Sequence, residues 1–183
     1  MSEDDDLPYW VKPGIVTERE NVELKHYEWM CETIAAIDFP GLNKYDWEAW
    51  QQLALQWADF TALRYRPGVR LAADQTNFFK CKQEVINLAF LQWLQEKYSV
   101  WATRQLPAPH HLYHVPHYLA HQRSKLKVNK VALLVMDGMA LADWKLIHPV
   151  WRARHPSWHF EEKLLMAQVP TLTAVSRQAL ISG

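Results

Sequence analysis

The chain of 183 residues is long enough for one ordinary domain or two small ones, and its hydrophobic content of 49% is sufficient for a core. Lysine plus arginine and aspartate plus glutamate each number 20, so the formal net charge is zero and no large basic field is present to hold nucleic acid. No apolar run approaches the roughly 20 residues of a membrane span, and the N-terminus MSEDDDLPYW is acidic, so the sequence predicts a soluble, cytoplasmic protein.

The first hundred residues have the spacing of amphipathic helices. Thr17 and Glu20 form a capping box, and apolar residues then recur every three or four positions until shortly before Pro40. A second helix is predicted over residues 47–65, and a third begins near Asp74 or Thr76. The predicted buried residues of the third helix are Phe79, Ile86, Phe90 and Trp93.

Tryptophan and cysteine are expected to have structural roles in this region. Most of the tryptophans within the helical segments lie on the apolar stripes, which favours core packing over an aromatic ligand cage. Cys31 and Cys81 each lie in a helix-patterned segment, and neither belongs to a Cys-x-x-Cys pair. We expect both thiols to be reduced and buried.

Residues 104–127 interrupt the helical pattern and are interpreted as a linker. Pro107, Pro109 and Pro116 exclude one continuous helix through this segment. Five of the nine histidines are in it, namely His110, His111, His114, His117 and His121. In a helix, four of these (His110, His114, His117 and His121) would share a face, as in zinc sites, but the prolines and the lack of a nearby cysteine favour the linker interpretation.

A different pattern follows in the stretch VALLVMDGMALADW. Residues 131–136 are continuously apolar, which is typical of a central parallel strand covered on both faces. Asp137 and Gly138 end the run, a helix is predicted from Met139 to Trp151, and residues 158–169 are predicted to contain a second strand or a mixed segment. Ligands of open α/β sheets bind beyond the carboxyl ends of the strands, which is where Asp137 would lie.

The last segment, QVPTLTAVSRQALISG, would bring hydroxyl groups to the same edge of the sheet. Pro170 ends any strand, and either Thr171 or Thr173 can cap the helix predicted over residues 174–181. Asp137 with Gly138 can also form a simple turn, and the threonines can be simple caps. Each of these structural roles is sufficient to explain its own segment alone.

Together the two segments resemble the PglZ family, the alkaline-phosphatase-like component of the BREX phage-defence systems. The resemblance covers about residues 128–183 and rests on the strand, Asp-Gly and helix followed by Pro-Thr-x-Thr-x-x-Ser-Arg-x-Ala-Leu-x-Ser-Gly. It implies an α/β fold in which a mostly helical N-terminal region precedes the first strands and helices of an alkaline-phosphatase-like domain. The expected boundaries are 1–103 for the helical region, 104–127 for the Pro/His-rich linker and 128–183 for the start of that domain.

The resemblance also implies roles for four residues. Asp137 would be a metal ligand, and Thr173 would be both nucleophile and metal ligand, with Thr171 as the alternative nucleophile. Arg177, one turn further along the same helix, would contact the substrate anion or a neighbouring carboxylate, or would have a surface or packing role. Carboxylate and alkoxide ligands suit zinc or manganese better than magnesium. The expected partners are a phosphorylated substrate and other BREX defence proteins, with no membrane and no direct nucleic-acid contact.

Further metal ligands are expected in such a domain, typically an Asp-x-x-x-His element and an Asp-His pair, and this sequence contains neither. The chain is therefore interpreted as the N-terminal part of a PglZ-type hydrolase that is inactive without its C-terminal half. Two other hypotheses stay open. One is a non-catalytic module that binds a partner protein, and the other is a small hydrolase that takes its metal ligands from the histidine-rich segment.

Overall fold

The computed structural model describes residues 18–37, 39–66, 69, 71–102 and 110–182, and these residues are mostly helical. Six α-helices occur in the described part of the chain: α1 (Glu18–Ala35), α2 (Trp47–Leu63), α3 (Ala73–Ala102), α4 (Val115–Leu126), α5 (Leu141–Arg154) and α6 (Thr173–Ser182). Short 3-10 helices span Phe39–Lys44 and Leu112–His114. None of the described helices is both long and apolar enough to cross a membrane.

The described residues form two compact units. The first comprises the described residues within Met1–Leu91 together with Ala140–Arg154, and the second those within Gln92–Met139 and His155–Gly183. The long helix α3 therefore contributes its first part to one unit and its last part to the other. Thr17 of the predicted capping box and two prolines of the predicted linker, Pro107 and Pro109, lie outside the described residues.

The core of the first unit is aromatic and lies where α1, α2 and the start of α3 meet. Phe60 of α2 is fully buried, and its ring centroid lies 5.0 Å from that of Tyr27 and 5.4 Å from that of Phe79. Trp57 stacks on Phe79 with centroids 4.6 Å apart. These contacts confirm that the spacing of apolar residues marks the buried faces of α1, α2 and the start of α3. Further along α3, Ile86 and Phe90 were also expected to be buried and are half-buried.

Capping explains where α2 begins. The side chain of Asp46 accepts a hydrogen bond from the backbone N–H of Ala49 at 2.8 Å, which satisfies one of the free donors of the first turn. Leu53, Trp50 and Ala58 are buried on the helix that follows. Within the first unit, α2 packs against both α1 and α5.

The second unit is built around the last turns of α3, the Leu112–His114 helix, α4 and α6. Trp93 of α3 is 1% exposed, and α6 packs against both the Leu112–His114 helix and α4. One isolated parallel bridge joins His111 to Met166, in which the Met166 N–H donates to the His110 carbonyl oxygen at 2.8 Å. This unit is therefore held mainly by helix packing.

The predicted strands are not formed, so the α/β part of the expected fold is not shown. Residues 131–136 have no strand conformation, and their side chains are exposed, with Leu134 at 74%. In the predicted second strand, residues 158–169, only Met166 takes part in a bridge. A strand requires a neighbour for its backbone groups, and the described residues provide no strand beside residues 131–136.

Two further expectations differ from the structure. The segment interpreted as a linker contains α4, because Pro116 lies in the first turn of that helix, where a missing N–H and a fixed φ are tolerated. Cys81 is exposed rather than buried, and Cys31 is half-buried, although both are free thiols. The domain boundaries at 103/104 and 127/128 stay predictions.

Candidate functional site

Asp137 lies in a turn that follows the exposed apolar run. Its neighbour Gly138 has a φ of +74°, in the left-handed region that non-glycine residues rarely adopt. A Cβ atom on Gly138 would meet nothing within 4 Å, so the backbone conformation and not the space requires glycine here. The turn leaves the Asp137 side chain 47% exposed, where a second group can reach its carboxylate.

The structure brings Asp137 and Arg177 together. Arg177 Nη2 donates to Asp137 Oδ2 at 2.9 Å, and the two residues are 40 positions apart in the sequence. Contact with a neighbouring carboxylate was one of the three roles expected for Arg177, beside contact with the substrate anion and a surface or packing role. Because both side chains are about half or more exposed, this ion pair is screened by solvent and its contribution to stability is small.

Thr173 is the first residue of α6, and Arg177 follows it by four residues on the same side of the helix. Thr171 lies before the helix, and both threonines are exposed. Among the described residues, no hydrogen bond joins either hydroxyl group to Asp137. The arrangement therefore combines one carboxylate, one guanidinium and the hydroxyl group at a helix N-terminus, and the catalytic roles of Thr173, Thr171 and Arg177 stay predictions.

The described residues alone do not fit a two-metal centre. They contain no group of three or more His, Cys, Asp or Glu side chains that could hold a metal ion. The cation that contacts Asp137 is the guanidinium of Arg177. Zinc or manganese bound by Asp137 and Thr173 stays a prediction, and it needs ligands from outside the described residues.

A cluster of three histidines in the second unit was not anticipated. His110 and His111 are 3% and 1% exposed, and the ring centroid of His114 lies 4.5 Å from that of His110 and 5.8 Å from that of His111. His117 and His121, which a zinc-binding face would also require, are exposed. The sequence pattern indicated a possible helical face that includes His110 and His114, but it gave no reason to place His111 beside them, which requires the turn at Leu112–His114.

A cleft of about 400 Å³ lies in the first unit. Two ion pairs border it: Arg66 Nη1 to Glu23 Oε1 at 2.7 Å, and Lys145 Nζ to Asp59 Oδ2 at 3.7 Å. Trp29, which is 56% exposed, contributes to its wall. Since a carboxylate lies beside each of these cations, the cleft has no net charge that would select an anionic or a cationic ligand.

Comparison with known proteins adds no relatives. No protein-family model matches the sequence, and neither a curated protein nor a solved structure matches it.

Proposed function

We propose that this chain carries part of the active site of a metal-dependent, phosphatase-like hydrolase of the PglZ type that acts in a BREX phage-defence system. The observation that supports this proposal is the Asp137–Arg177 pair, with Thr173 one helical turn before Arg177. Asp137 and Arg177 belong to the two different segments that carry the sequence resemblance. They are 40 positions apart in the sequence and are in contact in the folded unit.

Each of the three residues has a chemical task in this proposal. The helix N-terminus at Thr173 has partial positive charge and free N–H donors, which favour a phosphoryl group at that position. Arg177 would donate two parallel hydrogen bonds to the same anion, because its planar guanidinium matches the oxygen spacing of a phosphoryl group. The Thr173 hydroxyl would lose its proton to solvent, and its oxygen would attack the phosphorus atom while the P–O bond to the leaving alcohol breaks. Water would then hydrolyse the phosphothreonine and restore the hydroxyl group. Asp137 would hold a metal ion.

The metal ions, zinc or manganese, would supply the positive charge that stabilises the phosphoryl group. Because no three-ligand group occurs among the described residues, the other ligands must come from polypeptide outside them, either along the same chain or from a partner. The 183-residue chain on its own is therefore expected to hydrolyse 4-nitrophenyl phosphate and bis(4-nitrophenyl) phosphate no faster than buffer.

Metal content and hydrolysis rate, measured together on the protein that contains those further ligands, test the proposal. Asp137→Asn should lower both, whereas Thr173→Ala should lower the rate by on the order of a thousandfold and leave most of the metal bound. Asp143→Asn is the matched control, since Asp143 is exposed and accepts from the Ala140 N–H, a role that asparagine also fills. Full metal content and normal activity in Asp137→Asn would overturn the assignment.

The Thr171→Ala variant shows which of the two threonines is the nucleophile. It should leave the rate nearly unchanged, because Thr171 precedes the first turn of α6. If Thr171→Ala removes activity and Thr173→Ala does not, the nucleophile is Thr171 and the remainder of the proposal stands.

A non-catalytic module that binds a partner protein is the second candidate, and one observation favours it. Residues 131–136 form a continuous exposed apolar run, which soluble proteins usually cover with another surface. The two candidates differ in one measurement. A binding module would keep its partner when Asp137→Asn and Thr173→Ala are combined, and it would contain no metal in any form.

A further inference from the structure

His111 and His114 hold the Leu112–His114 helix in a way that requires neutral imidazole. Nδ1 of His114 accepts hydrogen bonds from the backbone N–H groups of His110 and His111, both at 3.4 Å. A nitrogen that accepts a hydrogen bond carries no proton, so His114 has its hydrogen on Nε2. Protonation of Nδ1 would convert this acceptor into a donor that faces two other donors.

His111 ties the same segment to α3. Its Nε2 and the carbonyl oxygen of Trp101 are 3.1 Å apart, and since a carbonyl oxygen only accepts, Nε2 is the donor. The ring is 1% exposed. A positive charge on His111 would therefore be buried beside two other imidazoles, at centroid distances of 4.9 Å from His110 and 5.8 Å from His114.

Among the described residues, no carboxylate contacts His111 or His114 to compensate for such a charge. The aromatic groups that face the cluster are Tyr98 and Trp101 of α3 and Tyr113, and the titratable neighbour on α4 is His117. Residues 164–169 contain no charged side chain, and the only charged residue of α6 is Arg177, whose guanidinium contacts Asp137. Burial, together with the neighbouring imidazoles, lowers the pKa of His111 and of His114, although hydrogen bonding to Trp101 opposes the shift at His111.

We propose that His111 and His114 form a pH-sensitive clasp that holds α6 on the second unit when their imidazoles are neutral and releases it when they are protonated. The coupling to α6 is direct, because α6 packs against the Leu112–His114 helix that the cluster holds. Acid would therefore loosen the helix that carries Thr173 and Arg177. This inference does not depend on the proposed hydrolase function, since the opening of α6 is measured without a substrate.

The sign of the pH dependence follows from linkage. His111 and His114 bind protons more readily in the opened state, where their pKa approaches the ordinary value of about 6.5, than in the closed state. The stabilising effect of the clasp is thus complete above about pH 6.5 and decreases as the pH falls toward the lowered pKa values. Each proton taken up on opening changes the opening constant by up to about tenfold per pH unit in that range.

Hydrogen exchange of the backbone amides of α6, corrected for the intrinsic exchange rate at each pH, measures the opening constant. In the unmodified chain it should rise at least about tenfold between pH 7.5 and pH 5.5, whereas the amides of α2 in the first unit should change by less than about threefold. His114→Asn should remove most of the rise, because the asparagine oxygen can replace Nδ1 as the acceptor but cannot be protonated. His159→Asn, which alters an exposed histidine of the same unit, should leave the rise intact.

Three results would overturn the clasp: a wild-type change below threefold, a tenfold rise that persists in His114→Asn, or loss of the rise in His159→Asn. If His114→Asn does not fold, the unmodified chain still decides the question through the NMR titration of its imidazole protons. Opening of α6 must follow the titration of His114. Protection of α6 that continues after His114 is protonated contradicts the proposal.

Discussion

Two arginine–carboxylate pairs differ in their exposure to water, and that difference determines how much each pair contributes to the stability of the fold. Arg66 binds Glu23 in the first unit, and the Glu23 side chain is only 13% exposed. Arg177 binds Asp137 in the second unit, where the side chains are 65% and 47% exposed. Removal of an arginine leaves its carboxylate without a partner, which is costly only where water cannot solvate the charge.

Arg66→Met should therefore destabilise the protein more than Arg177→Met does. Methionine retains much of the packing of the arginine stem and removes all of the donors. We expect the free energy of unfolding to fall by about 1–3 kcal/mol for Arg66→Met and by less than about 1 kcal/mol for Arg177→Met. Urea unfolding of the two variants measures both values. Equal losses would show that the burial of Glu23 does not determine how much its ion pair with Arg66 contributes to stability.

At the scale of elements, the helices were predictable because their information is local. The periodic apolar residues and the cap at Asp46 are sequence features, and α1, α2, α3, α5 and α6 occur where that spacing indicates them. The conformation of α4 was missed because Pro116 was interpreted as a breaker, although it occupies the first turn. The pairing of Arg177 with Asp137 joins residues 40 positions apart, which no local pattern predicts.

The strand was predicted from a pattern that does not contain its partner. An apolar run indicates that a segment is suited to burial, but burial depends on neighbouring strands and helices elsewhere. Residues 131–136 have the composition of a central strand and no strand beside them among the described residues. The histidine cluster was missed for a related reason, because its burial depends on the contact of His111 with Trp101 of α3 and on the bridge to Met166, both outside the segment itself.

Replacement of Phe60 tests the packing of the first unit. Phe60 is fully buried among rings from three helices, and Phe60→Ala should lower the free energy of unfolding by about 3–5 kcal/mol because a cavity remains. Tyr65→Ala, at a side chain that is 69% exposed, is the control and should change it by less than about 0.5 kcal/mol. Thermal unfolding followed by near-ultraviolet circular dichroism separates the two results. A small loss for Phe60→Ala would mean that the three helices do not meet at this ring.

A substitution at Leu134 tests whether residues 131–136 are exposed, as in the structure, or buried, as their sequence pattern predicts. The Leu134 side chain is 74% exposed, so Leu134→Lys should change the free energy of unfolding of the 183-residue chain by less than about 0.5 kcal/mol. In a central strand, the same change would bury an unpaired ammonium group and cost several kcal/mol. Urea unfolding of the variant shows which environment residue 134 has. A loss above about 2 kcal/mol would mean that the run is covered.

At the scale of the whole molecule, two properties favour self-association. The exposed large apolar side chains between residues 126 and 136 are Leu126, Val128, Val131, Leu133, Leu134, Val135 and Met136. The formal net charge is zero, and the isoelectric point is about 7.1. A protein near its isoelectric point lacks the repulsion between copies that would keep such a surface apart.

We therefore expect the 183-residue chain to associate most strongly near pH 7, and less at pH 9, where its net charge is negative. Leu134→Glu should reduce association at pH 7 more than Val22→Glu does. Both variants add one negative charge, and both replace an exposed apolar residue, at 74% and 61% exposure, but only Leu134 belongs to the continuous run. Static light scattering at several protein concentrations gives the apparent mass of each form. Equal reductions by the two variants would assign the effect to net charge alone, and a monomer at every pH would show that the run does not mediate contacts between copies.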